Sequence, residues 1–173
     1  MNFITFTART KKPNKGFTLV EMMVYLALLI VISISAVMAL ISFSDALQSY
    51  RTNQLLVRNG IAVLERFQTD VRSAQDVDML NSTLGVSPGA LRVLTGATTT
   101  DFAIGGSVIT VATNGVPQAL TADTVTIDGL EFYVYDNLTT QMVRMQVTLT
   151  ATVGVTTRTQ TFNTAAVLRG SYE

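Results

Sequence analysis

Apolar and polar positions follow three different rhythms along the chain. From Leu19 to Phe43 almost every position is apolar, Glu21 is the sole charge, and 23 uncharged residues separate it from Asp45. At a helical rise of ~1.5 Å per residue that stretch spans roughly 34 Å, enough for a ~30 Å hydrocarbon core. Ser33, Ser35, Ser42 and Ser44 interrupt the stretch, but no proline or glycine does. Beyond Asp45, Leu47, Tyr50, Val57, Ile61, Leu64 and Val71 recur at spacings of three, four or seven, which predicts a helix with one buried face. Arg51, Arg58, Glu65, Arg66, Asp70 and Arg72 occupy the other positions, as on a solvated face. Gly60 reads as a weak point, costing roughly 1 kcal/mol relative to Ala in mid-helix. One helix is predicted from about Phe17 to Asp76, its first half in lipid and its second half packed on a soluble domain.

Asn81, Gly85, Pro88 and Gly89 end this pattern and open a loop. From Leu91 the rhythm becomes that of strands. Threonine occurs 19 times between Thr95 and Thr164, amid many Val and Ile, a composition suited to pleated surfaces. Val143, Met145, Val147, Leu149, Ala151 and Val153 alternate with polar residues, the mark of a half-buried antiparallel strand. Leu130, Phe132 and Val134 alternate likewise, and a turn at Asp136-Asn137 should join the two strands as a hairpin. Asn114-Gly115 predicts a second hairpin between 107–113 and 116–120. Gly154 marks a bend or bulge before a last strand at about 156–168. A long helix followed by antiparallel strands makes the fold α+β.

Charge and composition then narrow the function. Of 12 basic residues, Arg9, Lys11, Lys12 and Lys15 lie in the first sixteen positions, where there is no acid. From Phe17 onward 8 basic residues face 12 acidic ones, so a basic nucleic-acid-binding domain is not expected. The chain has no His, Cys or Trp, which excludes a disulfide scaffold and a Cys/His metal site. Beyond Lys15 there is also no Lys, so no His base, Cys nucleophile or Ser–Lys pair is available, and an enzyme is not expected. Asp123, Asp128 and Asp136 lack the spacing of an EF-hand loop and read as surface-turn residues, so neither metal nor cofactor is expected.

Three kinds of amino-terminal segment fit a basic run before an apolar helix. A cleaved secretory signal has a shorter apolar core of about 7–15 residues, although the small-residue triplets Ser33-Ile34-Ser35 and Ser42-Phe43-Ser44 exist. An uncleaved signal anchor explains length and charge, and the positive-inside bias puts its amino terminus in the cytoplasm and the rest outside. Neither explains Glu21. An acidic residue at mid-helix costs about 2.5–3.5 kcal/mol on insertion, less near an end, where headgroups and the helix dipole favour it.

The run Lys15-Gly16-Phe17-Thr18-Leu19-Val20-Glu21 resembles the class III signal sequence of type IV prepilins and type II secretion pseudopilins. Leader basic residues, a terminal Gly, a following Phe, a Glu fifth from the cut and an apolar helix all occur in register. The resemblance implies cleavage between Gly16 and Phe17 by a prepilin peptidase and N-methylation of the new Phe17 amine. Lys11, Lys12 and Lys15 would belong to the leader. Glu21 would pair with the Phe17 amine of a neighbouring subunit as that subunit joins a filament. The implied organisation is a leader at 1–16, a transmembrane and filament-core helix at 17–44, an amphipathic helical half at 45–78 and an extracytoplasmic β-rich region at 79–173, the lollipop shape of a pilin. It further implies an inner-membrane protein that later enters a pilus or pseudopilus.

The stretch Val63–Ala74 is similar, more loosely, to the helix end of J-type minor pseudopilins and related minor pilins. No proline stands near Met38 where major pilins often carry one, and no cysteine closes a carboxy-terminal loop. These departures favour a minor subunit, at the tip or as a primer. The partners implied are other pilin or pseudopilin subunits, including I- and K-type minor pseudopilins, the prepilin peptidase, an inner-membrane assembly platform and, before assembly, the lipid bilayer. The competing reading is a signal-anchored extracytoplasmic binding module that never enters a filament.

Overall fold

The computed structural model describes residues 16–137 and 140–169. The chain divides into two compact units, Met1–Phe43 and Ser44–Glu173, and the helix α1 (Leu19–Ser73, 55 residues) contributes to both.

Within the first unit, the described residues are Gly16 to Phe43, and α1 there is mostly apolar. Every side chain is exposed except that of Glu21, which is half-buried. The serines do not break the helix because their hydroxyls donate to carbonyls one turn back: Ser33 Oγ to Leu29 O at 2.8 Å and Ser35 Oγ to Val31 O at 2.9 Å. The helix is long and apolar enough to cross a membrane.

The second unit packs the rest of α1 with two antiparallel sheets. The first is a meander of β1 (Asp76–Val77), β2 (Leu91–Thr95), β3 (Thr98–Gly105), β4 (Val108–Thr113) and β5 (Val116–Ala119). The second is β6 (Val125–Asn137), β7 (Thr140–Val153) and β8 (Thr156–Val167), in that order. The β4–β5 hairpin turns on Asn114 (φ 50°) and Gly115 (φ 81°), the paired left-handed conformations that a two-residue hairpin demands. Gly154 (φ 62°) and Val155 form the tight turn between β7 and β8, since Val153 pairs directly with Thr156. The expected β6–β7 hairpin is present, but Asp136 and Asn137 pair with Gln141 and Thr140 in the ladder rather than forming the turn. Both residues are exposed, so their polar side chains reach water from the strand end and the ladder can include them.

The core lies where helix and both sheets meet. Phe67 of α1 is fully buried, with its ring 5.8 Å from that of Phe102 on β3 and 6.1 Å from that of Phe132 on β6. Of the alternating apolar set of β7, Val143, Met145, Val147, Leu149 and Ala151 are buried as predicted, and Val153 at the strand end is half-buried. On the opposite face of the second sheet, Thr148–Thr161 and Thr152–Thr157 pair hydroxyl to hydroxyl across strands at 3.0 and 2.9 Å, and Thr150 pairs with Thr159. That ladder uses six of the 19 threonines between Thr95 and Thr164.

The helix face buried here differs from the one that apolar spacing predicts. The buried positions are Thr52, Leu56, Asn59, Gly60, Val63, Phe67 and Val71, whereas Leu47, Tyr50 and Ile61 stay exposed. Polar residues can line the seam because each is satisfied. Thr52 Oγ1 donates to Gln48 O at 2.8 Å, Asn59 Nδ2 donates to Leu55 O at 2.8 Å, and Asn59 Oδ1 accepts Ala122 N–H at 2.8 Å. Gly60 is no weak point either. A methyl group there would lie 2.5–2.6 Å from the ring of Phe162 on β8, so its bareness is what lets the sheet approach the helix.

The loop between β1 and β2 is tied at both ends. The Asp78 carboxylate accepts the Leu80 and Asn81 N–H groups, each at 3.2 Å, and Asn81 Nδ2 at 2.6 Å. Further on, Gly85 and Gly89 N–H donate to Phe132 O and Leu130 O, at 2.8 and 2.7 Å, which lays the loop along β6.

Two predictions follow from this packing. Gly60→Ala gains about 1 kcal/mol of helix propensity but meets an overpacking cost of about 1–3 kcal/mol against Phe162. Denaturant midpoints of the detergent-solubilised chain should therefore fall for Gly60→Ala alone, yet rise for the same change in a Phe162→Ala background. Equal destabilisation in both backgrounds would remove the ring as the limiting contact. The Asp78 carboxyl, in turn, is held below its ordinary value of 3.8, first by the Asn81 side chain, then by backbone N–H groups and Arg92, with burial opposing. A depressed carboxyl stabilises the fold above its unfolded value and loses that contribution as pH falls through its folded value. Between about pH 5 and pH 2 the parent should thus lose more stability than Asp78→Asn, compared by denaturant midpoint at each pH.

Candidate processing and assembly site

Residues 16–25 bring together the groups singled out in the sequence. Gly16, Phe17 and Thr18 precede α1 without regular structure, and nothing lies within 4 Å of where a side chain on Gly16 would begin. The helix starts where it does because Thr18 caps it: Thr18 Oγ1 accepts Glu21 N–H at 3.2 Å, and Thr18 O accepts Met22 N–H at 3.1 Å. Thr18 and Glu21 stand in the Thr-x-x-Glu spacing of a capping box. The Glu21 carboxylate, however, turns the other way. Its Oε1 accepts the hydroxyl of Tyr25, one turn on, at 3.1 Å.

The ring of Tyr25 also meets that of Phe17 edge to face, with centroids 6.1 Å apart and planes at 77°. Tyr25 therefore touches both Glu21, through its hydroxyl, and Phe17, through its ring. Glu21 is half-buried in a stretch where every other side chain is exposed. The Gly16–Phe17 peptide is intact, so the Phe17 nitrogen is an amide here and carries no charge. Lys11, Lys12 and Lys15 lie outside the described residues. Tyr25 has no role in the sequence reading, although a tyrosine four residues after the acid, on the same face, is a readable signal.

Elsewhere the charged groups serve the fold. Arg66 Nε and Asp70 Oδ2 pair along α1 at 2.8 Å. Arg92 and Asp101, directly opposite each other on β2 and β3, form a two-pronged pair that pushes the guanidinium's pKa further up. Tyr133 donates to Glu131 at 2.7 Å, and that carboxylate raises the phenol's pKa. Two of the three acids considered for calcium are engaged separately: Asp128 accepts Thr150 Oγ1, and Asp136 accepts Gln141 Nε2 at 3.3 Å. Asp128 sits at a bulge in β6 and Asp136 within the strand end, so of the three only Asp123 is a turn residue. Among the described residues no group of three or more carboxylates converges as a metal site.

Residues 11–29 match the family pattern described as the prokaryotic N-terminal methylation motif. The match covers Lys11, Lys12 and Lys15, the Gly16-Phe17 step, Glu21, Tyr25 and the first turns of the apolar helix. It supports a type IV pilin or pseudopilin family, whose members are prepilin-peptidase substrates and structural subunits that assemble with one another. A long amino-terminal helix leading into antiparallel sheets is the α+β architecture expected for that class. No curated protein and no solved structure matches the chain.

Proposed function

We propose that the chain is a minor pilin or pseudopilin, cut between Gly16 and Phe17 and methylated on the Phe17 amine. After extraction from the inner membrane it would assemble into a type IV pilus or type II secretion pseudopilus as a tip or priming subunit. The observation that carries this reading is the methylation motif placed in register with a capped, exposed, membrane-length helix. Glu21 is the assembly residue. A carboxylate in a low-dielectric setting attracts an ammonium strongly and is penalised when unpaired, so pairing with the Phe17 amine of a neighbouring subunit selects one stagger. The amino terminus faces the cytoplasm and the β-rich region lies outside, with prepilin peptidase, an assembly platform and other subunits (I- and K-type minor pseudopilins among them) as partners. The similarity of Val63–Ala74 to J-type subunits and the lack of Cys support the minor role.

One observation favours the second reading, a signal-anchored binding module. Tyr25 already supplies Glu21 with a hydrogen bond inside its own helix, so the carboxylate has a partner without any neighbour.

Intact mass separates the two readings. With a co-expressed prepilin peptidase, the membrane-extracted chain should lose residues 1–16 and gain one methyl group. An uncut chain, beside a control prepilin that is cut, would leave the anchored module. Glu21→Ala should insert as well as the parent or better, since it removes an insertion penalty of up to about 2.5–3.5 kcal/mol, and yet fail to enter filaments. Normal incorporation of that variant would sink the role assigned to Glu21.

A further inference from the structure

The least expected side chain in the apolar half of α1 is Tyr25. It stands in a run of Met, Val, Leu and Ile residues, and a phenolic hydroxyl in hydrocarbon requires an acceptor. The acceptor is Glu21 Oε1, at 3.1 Å. The requirement is mutual, because a carboxylate near hydrocarbon requires a donor. Each group removes the other's penalty, and the hydrogen bond engages one carboxylate oxygen only. The edge-to-face contact with Phe17, 6.1 Å between centroids, places the residue that would carry the new amine on the same helix face.

We propose that Tyr25 is a positioning residue for assembly: its hydroxyl fixes the Glu21 carboxylate through Oε1 so that Oε2 is presented to the ammonium of an incoming subunit. This rests on the reading of Glu21 as the assembly carboxylate. The hydrogen bond fixes the rotamer of a flexible side chain before the partner arrives, so less ordering remains to be done on docking. It also keeps the carboxylate satisfied while the subunit waits in the membrane. The same bond that favours the anchored module thus becomes part of the filament mechanism, and the two views differ in what its loss does.

The test uses the full chain, expressed with prepilin peptidase in cells carrying the assembly machinery. Tyr25→Phe keeps the ring and its contact with Phe17 but removes the hydroxyl. Insertion and cleavage should match the parent, while incorporation into filaments falls about tenfold, the scale of one hydrogen bond to a charged group. In vesicles containing the cleaved chain labelled with 13C-glutamate, the carboxylate stretch of Glu21 should shift in Tyr25→Phe. That band is isolated by subtracting the Glu21→Gln spectrum, since Glu65, Glu131 and Glu173 also absorb. Tyr25→Gln, which restores a donor without the ring, should recover a substantial part of both signals.

A Tyr25→Phe chain with parental incorporation overturns the proposal, whether or not the band moves, provided Glu21→Gln is defective. In that case the reading of Glu21 stands without Tyr25. If Glu21→Gln itself assembles like the parent, the assembly role of Glu21 fails, and the role of Tyr25 fails with it. An incorporation defect in Tyr25→Phe with an unmoved carboxylate band also overturns it, by showing that the hydroxyl acts elsewhere.

Discussion

A helix that meets lipid must answer its own polar groups, because hydrocarbon offers none in return. Several polar groups of α1 and its cap are answered in this way. Thr18 answers the Glu21 N–H, Tyr25 answers the Glu21 carboxylate, and Ser33 and Ser35 turn back onto Leu29 and Val31. The habit continues beyond the apolar stretch: Thr52 bonds Gln48 O, Asn59 bonds Leu55 O, Thr69 bonds Glu65 O and Arg66 pairs with Asp70. Nearly all of these bonds span four residues, the spacing that puts two side chains on one helix face. The outcome is a helix many of whose polar side chains are answered within it, while Gln48, Asn59 and Gln68 reach out to Val155, Ala122 and Thr164.

In the second unit that self-sufficiency frees the buried seam from a strict apolar rule. Thr52 and Asn59 can face the sheets because their hydrogen bonds are already placed, and Asn59 has an acceptor left over for Ala122. Gly60 admits Phe162, and Phe67 then enters between the two sheets to meet Phe102 and Phe132. The large rings come from one helix and two sheets, so the core is a joint of three elements rather than the inside of any one of them. Burying a Phe-sized side chain is worth about 1.5–3 kcal/mol, and the seam concentrates that gain at Phe67.

What could be read from the residues divides along physical lines. Strand alternation in β7 and the Asn114-Gly115 turn were legible because a period of two and a positive φ leave strong local marks. The helix was legible too, since 23 uncharged residues without Gly or Pro allow little else. Its buried face was not. Leu47, Tyr50 and Ile61 satisfy a helical period as well as Leu56, Val63 and Phe67 do, and a rule that scores only apolarity cannot prefer a seam containing Thr, Asn and Gly. The split of the strands into two sheets was likewise hidden, because it depends on where the 78–90 loop and the Thr121–Thr124 turn lead the chain. At the amino terminus Gly16, Phe17 and Glu21 were legible as a motif. Tyr25 carries no such mark, because a tyrosine in an apolar helix reads equally as a packing residue until its hydroxyl is placed on Glu21.

The same self-sufficiency bears on how such a subunit would leave a membrane. Lipid tails are as apolar as Leu or Ile, so moving the apolar half of α1 from lipid to a bundle of like helices gains little from hydrophobicity itself. Packing and polar pairing must supply the direction. Every hydroxyl on that half whose bond is described already has its acceptor, which leaves the Glu21 carboxylate as the group with most to gain from a new partner. A charge pair is also more selective than packing, since a shift of one helical turn between apolar helices changes contacts gradually, whereas the same shift separates an ammonium from a carboxylate by about 5.4 Å. On the proposed function, then, the apolar length of α1 makes the subunit transferable, and the single acid near its start determines where the transfer stops.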